Sequence, residues 1–363
     1  MERTALACEL KRARGSIEFS VAAPEADAEI RRLLRENPMR GAVSLSLERE
    51  PNYFAGCSLG SARDTTIVAR KCGKVVCVGN CSVRMRFING EAMPVGYLGG
   101  LRLDGSVAGR FDILRQGYRF FEEIAREEGA SFYFTSIAAD NTPARQFLER
   151  NLPGMPRYEF IGEFVTLVIP TRQRRTSRDF AQAEPSERFI NERQKCFNLA
   201  ANWQTEEFKE LAHAGFRSSM HVSDGSRVAA AGVVWDQRAF KQTVVRGYSP
   251  VLRAVRPIVN ACAKFRGVRF PPVGETLSLA FLSPMTATVN SIATLVAAAA
   301  EIAQRDGIEL LALGLDACDP RLAQITNTFR AREYRSRLYA VHWNDRPAVK
   351  LDNKLLMPEI ALL

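Results

Sequence analysis

Apolar positions along the chain alternate with polar ones or recur at helical spacing, in a regular order. In the first half, alternation predicts strands at residues 17–21, 43–47, 65–69, 75–78, 82–88, 92–103, 132–137 and 158–169. Helical spacing predicts helices from 24 to about 37, at 113–128 and from 142. Cys72-Gly73-Lys74 and Asn89-Gly90 are typical of the turns of β-hairpins.

The helix at 113–128 has the clearest pattern of the first half. Its apolar face is formed by Leu114, Tyr118, Phe121 and Ala125. Asp112 can cap its start and Gly129 can end it. The loop at 104–112 joins an apolar strand directly to this helix. Because free backbone N–H groups and the positive end of the helix dipole meet there, the loop is suited to an anion.

The second half repeats the order strand, helix, strand, helix, strand, at 276–282, 289–305, 308–315, from Asp319-Pro320, and at 337–343. Gly129 and Gly307 are 178 residues apart, and Tyr158 and Tyr334 are 176 apart. Residues 171–188 contain few apolar positions. We therefore predict a mixed α/β protein with a first domain at 16–170, a linker at 171–188 and a second domain at 189–363. Each domain would be a twisted mixed sheet flanked by helices.

Composition narrows the class of protein. With 363 residues, 46% hydrophobic and 25% charged, the chain is typical of a soluble globular protein of two domains. No apolar run approaches the ~20 residues that span a bilayer, and the N-terminus does not resemble a signal peptide. We expect a cytoplasmic protein with no membrane partner.

Cys72, Cys77 and Cys81 lie close together, but no Cys-x-x-Cys is present and the chain has 3 histidines. Buried, apolar cysteines are favoured over a metal site, and no metal is expected.

The formal net charge of +10 favours anionic ligands or partners. One basic run contains Arg172, Arg174, Arg175 and Arg178, which either bind phosphates or form a solvated surface. A second, at 246–273, interleaves basic residues with aromatic ones: Arg246, Arg253, Arg256, Lys264, Arg266 and Arg269 with Tyr248, Phe265 and Phe270. This pattern is compatible with single-stranded nucleic acid, or with arginine stems packed on apolar surface. No RNA-binding signature accompanies it, so nucleic acid is not the expected partner.

Residues 16–170 resemble the GNAT superfamily of acyl-CoA-dependent acetyltransferases. In that family a central strand splays from its neighbour and pairs with the pantetheine chain, and a loop of pattern Gln/Arg-x-x-Gly-x-Gly/Ala holds the pyrophosphate. Leu101-Arg102-Leu103 matches the strand end, and Ala108-Gly109-Arg110-Phe111-Asp112-Ile113 falls at the loop. Ala108 stands at the Gln/Arg position, and Phe111 and Ile113 stand where small residues are usual. Arg110 can supply compensating charge, since a guanidinium binds phosphate bidentately.

A second match to the family covers residues 140–148. Asn141 and Ala144 fit positions that lie near CoA, although Asn141 is also an ordinary residue for a helix N-terminus. Leu148 occupies the position at which the family often has a proton-donating tyrosine. Glu48 and Glu50, beside Tyr53 and Phe54, lie where the family often builds its acceptor site. The two glutamates are candidates for the catalytic base or are merely solvated, and the two aromatic residues are candidates for the acceptor pocket.

The second half resembles the family more weakly. Its helix at 289 follows a segment, 283–288, without glycine or a basic residue, so we expect a degenerate domain that supports the first. The resemblance implies an N-acetyltransferase that uses acetyl-CoA or another acyl-CoA. An amine of a small molecule or protein would attack the thioester directly. The alternative is a non-catalytic GNAT-fold protein that binds an anionic ligand or partner.

Overall fold

A computed structural model of the chain describes residues 17–56, 63–172, 180–182, 187–224, 227–261, 269–343 and 349–363. The helices in these ranges are α1 Asp27–Glu36, α2 Phe111–Glu128, α3 Thr142–Leu148, α4 Glu187–Gln194, α5 Thr205–His213, α6 Pro250–Ala261, α7 Ile292–Arg305 and α8 Pro320–Thr328. The strands are β1 Ile17–Val21, β2 Val43–Glu48, β3 Arg63–Lys71, β4 Lys74–Ile88, β5 Glu91–Leu103, β6 Phe132–Ala138, β7 Arg157–Pro170, β8 Phe180–Gln182, β9 Phe216–Asp224, β10 Arg227–Trp235, β11 Gln242–Tyr248, β12 Leu279–Ala287, β13 Leu310–Asp316 and β14 Arg332–His342.

Most of the described strands form one mixed sheet that runs through both halves of the chain. Its 12 strands have the order β1-β3-β4-β5-β6-β14-β7-β13-β12-β10-β9-β8. Strand β14, from the second half, lies between β6 and β7 of the first half and is antiparallel to both. Strand β7 in turn pairs with β13 of the second half. The two halves therefore exchange strands at the centre of the sheet.

A smaller sheet also joins the halves. Strand β2 of the first half pairs antiparallel with β11 of the second, from Val43↔Tyr248 to Glu48↔Gln242. The mixed α/β class with helices flanking a large mixed sheet is confirmed. The division into two tandem domains with a linker at 171–188 stays a prediction, and of the basic run Arg174, Arg175 and Arg178 lie outside the described residues.

Helices cover both faces of the large sheet because each has one apolar face. The predicted apolar face of α1, formed by Ile30, Leu33 and Leu34, is buried against Val68 and Val78. On the opposite face, α2 packs Phe121 and Ala125 against a cluster that includes Cys81 and Tyr133. In the second half α7 is buried along most of its length in the largest apolar cluster. We call the two faces of the first half the α1 face and the α2 face.

Turn residues behave as the sequence predicts. Asn89 and Gly90, between β4 and β5, have φ values of 55° and 91°, as a tight hairpin turn requires. Gly129 ends α2 with a φ of 69°. Cys77 and Cys81 are buried in β4, which agrees with their interpretation as small apolar residues, and Cys72 is exposed in the turn before it.

Candidate active site at a strand splay

The first half contains a place where two parallel strands separate. Strands β5 and β6 pair only from Val95↔Phe132 to Tyr97↔Phe134, although both continue further. At the separation the Thr135 hydroxyl donates a hydrogen bond to the carbonyl of Leu98 at 2.6 Å. Beyond it, β5 keeps β4 as its only neighbour over its described residues. Its other edge faces the splay, where backbone groups can pair with an extended ligand.

A bulge shapes the open part of β5. The register with β4 shifts between Val78↔Arg102 and Asn80↔Gly99, and Gly100 has a φ of 66°. Such a bulge bends the strand and re-aims the side chains that follow it. After the bulge, Leu103 packs with Ile113 on the α2 face. Arg102 pairs with Val78, which packs against α1, so its side chain lies on the α1 face.

The loop between β5 and α2 satisfies most of its backbone donors internally. The Asp104 carboxylate accepts from the N–H of Ser106 at 2.9 Å, and the N–H of Arg110 donates to the carbonyl of Val107 at 3.1 Å. The N–H groups of Phe111 and Ile113 donate to the carbonyls of Gly109 and Arg110 at 3.0 and 3.2 Å. A pyrophosphate would have to compete with these bonds.

Asp112 occupies the N-terminal end of α2. Its carboxylate accepts from Nε and Nη2 of Arg110 at 2.8 and 2.6 Å. The Arg110 hydrogen bond lowers the pKa of Asp112. The positive end of the helix and the guanidinium are thus both directed at a carboxylate of the same loop.

The two bulky loop residues have different environments. Ile113 is fully buried beneath the loop and does not obstruct the helix end. Phe111 is 53% exposed and stacks on Phe147 of α3, with ring centroids 4.7 Å apart. The stack joins the start of α2 to α3 across the surface on which the resemblance places CoA.

Asn141 caps α3. Its side-chain oxygen accepts from the N–H of Ala144 at 3.3 Å, which is the structural role left open by the sequence. Leu148 and Ala144 pack against the apolar cluster under α2 and α3. A role near CoA for Asn141 and Ala144 stays a prediction.

The α1 face of the sheet beside the splay is polar, and the sequence analysis did not single it out. Strand register aligns Asp64 with Ser82 and Ser82 with Tyr97 in one cross-strand row. The neighbouring row aligns Thr66 with Asn80. Together with Ser136 of β6 we call these residues the polar floor: Asp64, Thr66, Asn80, Ser82, Tyr97 and Ser136.

Hydrogen bonds join residues of the polar floor between β5 and β6 and between β3 and β4, and join the floor to the segment above it. The Tyr97 hydroxyl lies 2.9 Å from the Ser136 hydroxyl, at the point where β5 and β6 separate. The Asn80 amide donates to the Thr66 hydroxyl at 3.2 Å. The Tyr53 hydroxyl lies 3.2 Å from the same Thr66 oxygen, so Tyr53 covers the floor from the α1 side.

Burial shifts the proton affinity of several groups at the floor. It raises the pKa of Asp64, against the opposing effects of Arg84 and of a hydrogen bond from Ser82. Burial also raises the pKa of Tyr97, which keeps that hydroxyl protonated. Lys241, which lies near Arg84 as well, has its pKa lowered to about 7 by burial. Acids and bases with displaced pKa values beside a cleft are typical of catalytic sites.

Glu48 and Glu50 lie in ion pairs rather than in a solvated loop. Glu48 is buried at the end of β2 and accepts from Nε of Arg246 at 2.8 Å. Glu50 accepts from Arg31 at 2.5 Å and from Arg35 at 2.7 Å. A shallow cavity of about 400 Å³ adjoins them, lined by Arg35, Glu48, Glu50, Gln242, Val244, Arg246, Gly274 and Thr276. The pairs hold α1 against β2 and β11, and a catalytic role for either glutamate stays a prediction.

Tyr53 and Phe54 pack edge to face, with ring centroids 5.1 Å apart. Tyr53 is buried, and its hydroxyl reaches the polar floor. Tyr53 therefore contacts the polar floor at Thr66, and a role for Tyr53 and Phe54 in an acceptor pocket stays a prediction.

The second half has a matching splay that the chain itself fills. Strands β12 and β13 pair in parallel from Leu279↔Leu310 to Phe281↔Ala312. Beyond that point the Ser283 hydroxyl donates to Glu359 at 2.6 Å, and the N–H of Leu356 donates to Asp316 of β13 at 2.8 Å. Among the described residues, the splay of the first half is thus the one with an open edge.

No group of three or more His, Cys, Asp and Glu side chains within the described ranges is arranged to hold a metal ion. No described helix combines the length and apolar character needed to cross a membrane.

In the basic segment 246–273, Arg256 lies over the ring of Tyr248 at 5.2 Å and Phe270 packs against the same tyrosine. This contact matches the predicted packing of arginine stems on apolar surface, whereas residues 262–268 lie outside the described ranges.

Solved structures with both halves of this fold include two kinds of acyltransferase. Saccharomyces cerevisiae N-myristoyltransferase with bound myristoyl-CoA superposes with a TM-score of 0.59 at 10% identity, over 94% of this chain and 83% of that one. A GCN5-related N-acetyltransferase from Sphaerobacter thermophilus gives 0.53 at 11% identity, over 92% and 98%. Another from Anabaena variabilis ATCC 29413 gives 0.50 at 11%, over 90% and 72%.

No protein-family model matches the chain, and no curated protein matches it. At identities this low the structural likeness shows the fold alone. The chain has the mixed α/β fold shared by GCN5-related N-acetyltransferases and N-myristoyltransferase.

Proposed function

We propose that this chain is an acyl-CoA-dependent N-acyltransferase whose reaction takes place at the splay of β5 and β6. The observation that carries the proposal is an open β5 edge beside a polar floor with a half-buried carboxyl group, that of Asp64. The pantetheine chain would pair with the edge at 99–103, which sets the thioester carbonyl near Tyr97. GNAT-type enzymes and the N-myristoyltransferase with bound myristoyl-CoA share the fold, which supports this class of reaction.

In the proposed reaction the acceptor amine approaches from the α1 face and attacks the thioester carbonyl. A C–N bond forms, the C–S bond breaks, and the amine proton passes to Asp64 through bridging waters. Asp64 suits this role because its raised pKa makes the carboxylate a better base near neutral pH. Its row in the sheet places it about 10 Å from the Tyr97 backbone, two strand spacings away.

The thiolate that leaves also needs a proton. Leu148 supplies none, and Tyr97 is the candidate donor, because its hydroxyl stays protonated and lies at the separation of the strands. Positioning of the acceptor amine would further increase the rate, because Tyr53 closes the α1 side of the floor.

Turnover and binding together test the proposal. Release of CoA from acetyl-CoA and myristoyl-CoA is measured with a thiol reagent across a panel of amines, and Asp64→Asn should reduce kcat about 10²–10⁴-fold. Asp306→Asn, an exposed acid at the end of α7, is the control and should keep full activity. Failure of every acyl-CoA to shift the melting temperature would overturn the proposal.

A second function is favoured by the closed loop at 104–113. Backbone amides of this loop are already hydrogen-bonded and Arg110 is paired with Asp112, as expected of a loop that does not hold a phosphate. The alternative is a non-catalytic protein that binds an anionic ligand or partner. Thermal stabilisation by CoA, without turnover of any amine and without an effect of Asp64→Asn on binding, would favour this alternative.

A further inference from the structure

Arg102 brings a positive charge to the open part of β5, on the face from which the acceptor would approach. Tyr97 pairs with Ser82 and Arg102 with Val78, so both side chains lie on the α1 face. The bulge between them contains Gly99 and Gly100, which have no side chains. The Tyr97 ring leans over Gly99, where a Cβ would lie 2.7 Å from it. The sheet surface between the tyrosine and the arginine is therefore clear.

The Arg102 guanidinium extends towards the gap between β5 and β6. Burial lowers the pKa of Arg102, and Tyr97 and Tyr334 oppose this shift, so both tyrosines lie within electrostatic range of the guanidinium. Tyr97 belongs to β5, whereas Tyr334 belongs to β14, on the far side of β6. Tyr334 lies on the α1 face because Ser336, two residues along β14, pairs with Ala138 of β6. A cation close to both tyrosines borders the mouth of the splay.

No described residue neutralises this charge. Arg102 is half-buried, and within the described part of the chain its side chain donates one hydrogen bond, from Nη1 to the carbonyl of Leu101 at 2.8 Å, and forms no ion pair. Burial raises the pKa of Tyr334 and the Asp140 carboxylate raises it further, but Asp140 does not pair with Arg102. Most N–H donors of the guanidinium are thus available to a ligand, and a bidentate carboxylate would satisfy two of them and neutralise the charge.

We propose that Arg102 binds a carboxylate of the acceptor, so that the amine acylated at the splay belongs to an α-amino acid or to another amine with a carboxylate close to it. This inference rests on the proposed function. The thioester would lie near Tyr97, and Arg102 lies within electrostatic range of the same residue, so the amine and the carboxylate of the acceptor have to be close together in one molecule. The pantetheine would occupy the edge of β5, which leaves the α1 face to the acceptor.

Pairs of acceptors test the inference. Each pair is an α-amino acid and the amine that lacks only its carboxylate, such as phenylalanine with phenethylamine and leucine with isopentylamine, and release of CoA is measured with each. The amino acid of each pair should have a kcat/KM about 10–100-fold higher. Arg102→Gln should remove this difference by lowering kcat/KM for the amino acids alone. Arg102→Lys should restore part of it, because lysine keeps the charge without the planar fork.

Arg227→Gln is the matched control. Arg227 is exposed on β10, which is separated from β5 by five strands of the sheet, so its replacement should leave both members of each pair unchanged. Arg102 has no ion pair to lose, so Arg102→Gln should keep the wild-type melting temperature. Calorimetric titration of CoA identifies the source of the bound anion. If Arg102→Gln weakened CoA binding about tenfold and kept the preference for amino acids, Arg102 would belong to the phosphates of CoA and the inference would be overturned.

The inference and the proposed function can fail separately. Equal kcat/KM within each pair, or an equal loss for both members in Arg102→Gln, would overturn the inference and leave the acyltransferase proposal standing. If no amine is turned over, calorimetric binding of phenylalanine and phenethylamine, with and without CoA, decides the matter. Tighter binding of phenylalanine that Arg102→Gln abolishes would support the carboxylate site, and equal binding of the two compounds would contradict it.

Discussion

Replacing Asp112 by Asn tests whether the loop before α2 receives the pyrophosphate of CoA. The Asp112 carboxylate lies in the first turn of α2, at the end of the helix where the phosphates would lie. Both its oxygens also bind Arg110. Asparagine has nearly the same shape and keeps one oxygen for the helix, but it removes the negative charge and weakens the hold on Arg110.

The size of the effect follows from the charges. A carboxylate about 5 Å from a unit negative charge repels it by about 0.8 kcal/mol in a water-like dielectric. A pyrophosphate brings about two such charges, and salt at physiological strength screens roughly half of the sum over this distance. The remaining ~0.9 kcal/mol corresponds to about fivefold tighter binding of CoA. The loss of the favourable charge at the helix N-terminus costs the fold about 0.3–1 kcal/mol.

Calorimetric titration of CoA measures the change, with Glu123→Gln as control. Glu123 is an exposed acid of the same helix, 11 residues along it and so about 16 Å away, where its charge is screened. Asp112→Asn should strengthen binding, whereas Arg110→Gln should weaken it because Asp112 then faces the phosphates without a counter-charge. Weaker binding by Asp112→Asn, or an effect equal to that of Glu123→Gln, would refute the placement of the pyrophosphate at this loop.

Three further predictions concern the sheet and its buried charges. In Gly99→Ala the new Cβ would lie 2.7 Å from the Tyr97 ring, so the free energy of unfolding should fall by about 1–3 kcal/mol and the floor should distort. In the control, Gly79→Ala, the new Cβ meets only Leu101 at 3.8 Å, and urea unfolding should show no change in stability. Burial raises the pKa of Glu359 from 4.5 to about 7, so its stabilising contribution is complete below pH 4.5 and is lost as the pH rises through 7. The loss is about 3 kcal/mol and should be absent in Glu359→Gln when unfolding is followed against pH. Asp319→Asn leaves Arg321 buried without its carboxylate partner and should cost about 3–5 kcal/mol, and a loss under 1 kcal/mol would contradict this.

Local pattern predicted most elements of the first half, because each has a complete apolar face and a recognisable end. The helix expected at 113–128 is observed as Phe111–Glu128, and Gly129 ends it as expected. Agreement is poorer where polar residues are buried within strands. The strand expected at 276–282 is Leu279–Ala287, because Ser283, Pro284 and Thr286 interrupt the apolar run although Ser283 and Thr286 are buried. Their burial depends on tertiary contacts such as that of Ser283 with Glu359, which no local pattern contains.

The candidate site was only partly predictable for a similar reason. The β5 end and the loop were predicted from one continuous stretch, 101–113, and Tyr53 from a separate one. The polar floor is assembled from one or two residues on each of four strands, and its row Asp64–Ser82–Tyr97 exists only once the register is set. A signal was present in the alternation of Asn80, Ser82, Arg84 and Arg86 with apolar residues along β4. That alternation shows that one face is polar, but it does not show which carboxyl group lies beside it.

Exchange of strands gives the second half a direct part in the candidate site. Strand β6 forms one side of the splay, and its other edge is paired with β14, from Tyr133↔Val341 to Ala138↔Ser336. Ser136, which contacts Tyr97 at the separation point, lies opposite Leu338 in that ladder. The direction in which β6 leaves β5 is therefore set by a strand of the second half, whose own splay is filled by Glu359 and its neighbours. One half then provides the open cleft and the other provides the strand that holds it open, which explains why two similar halves in one sheet can carry a single site.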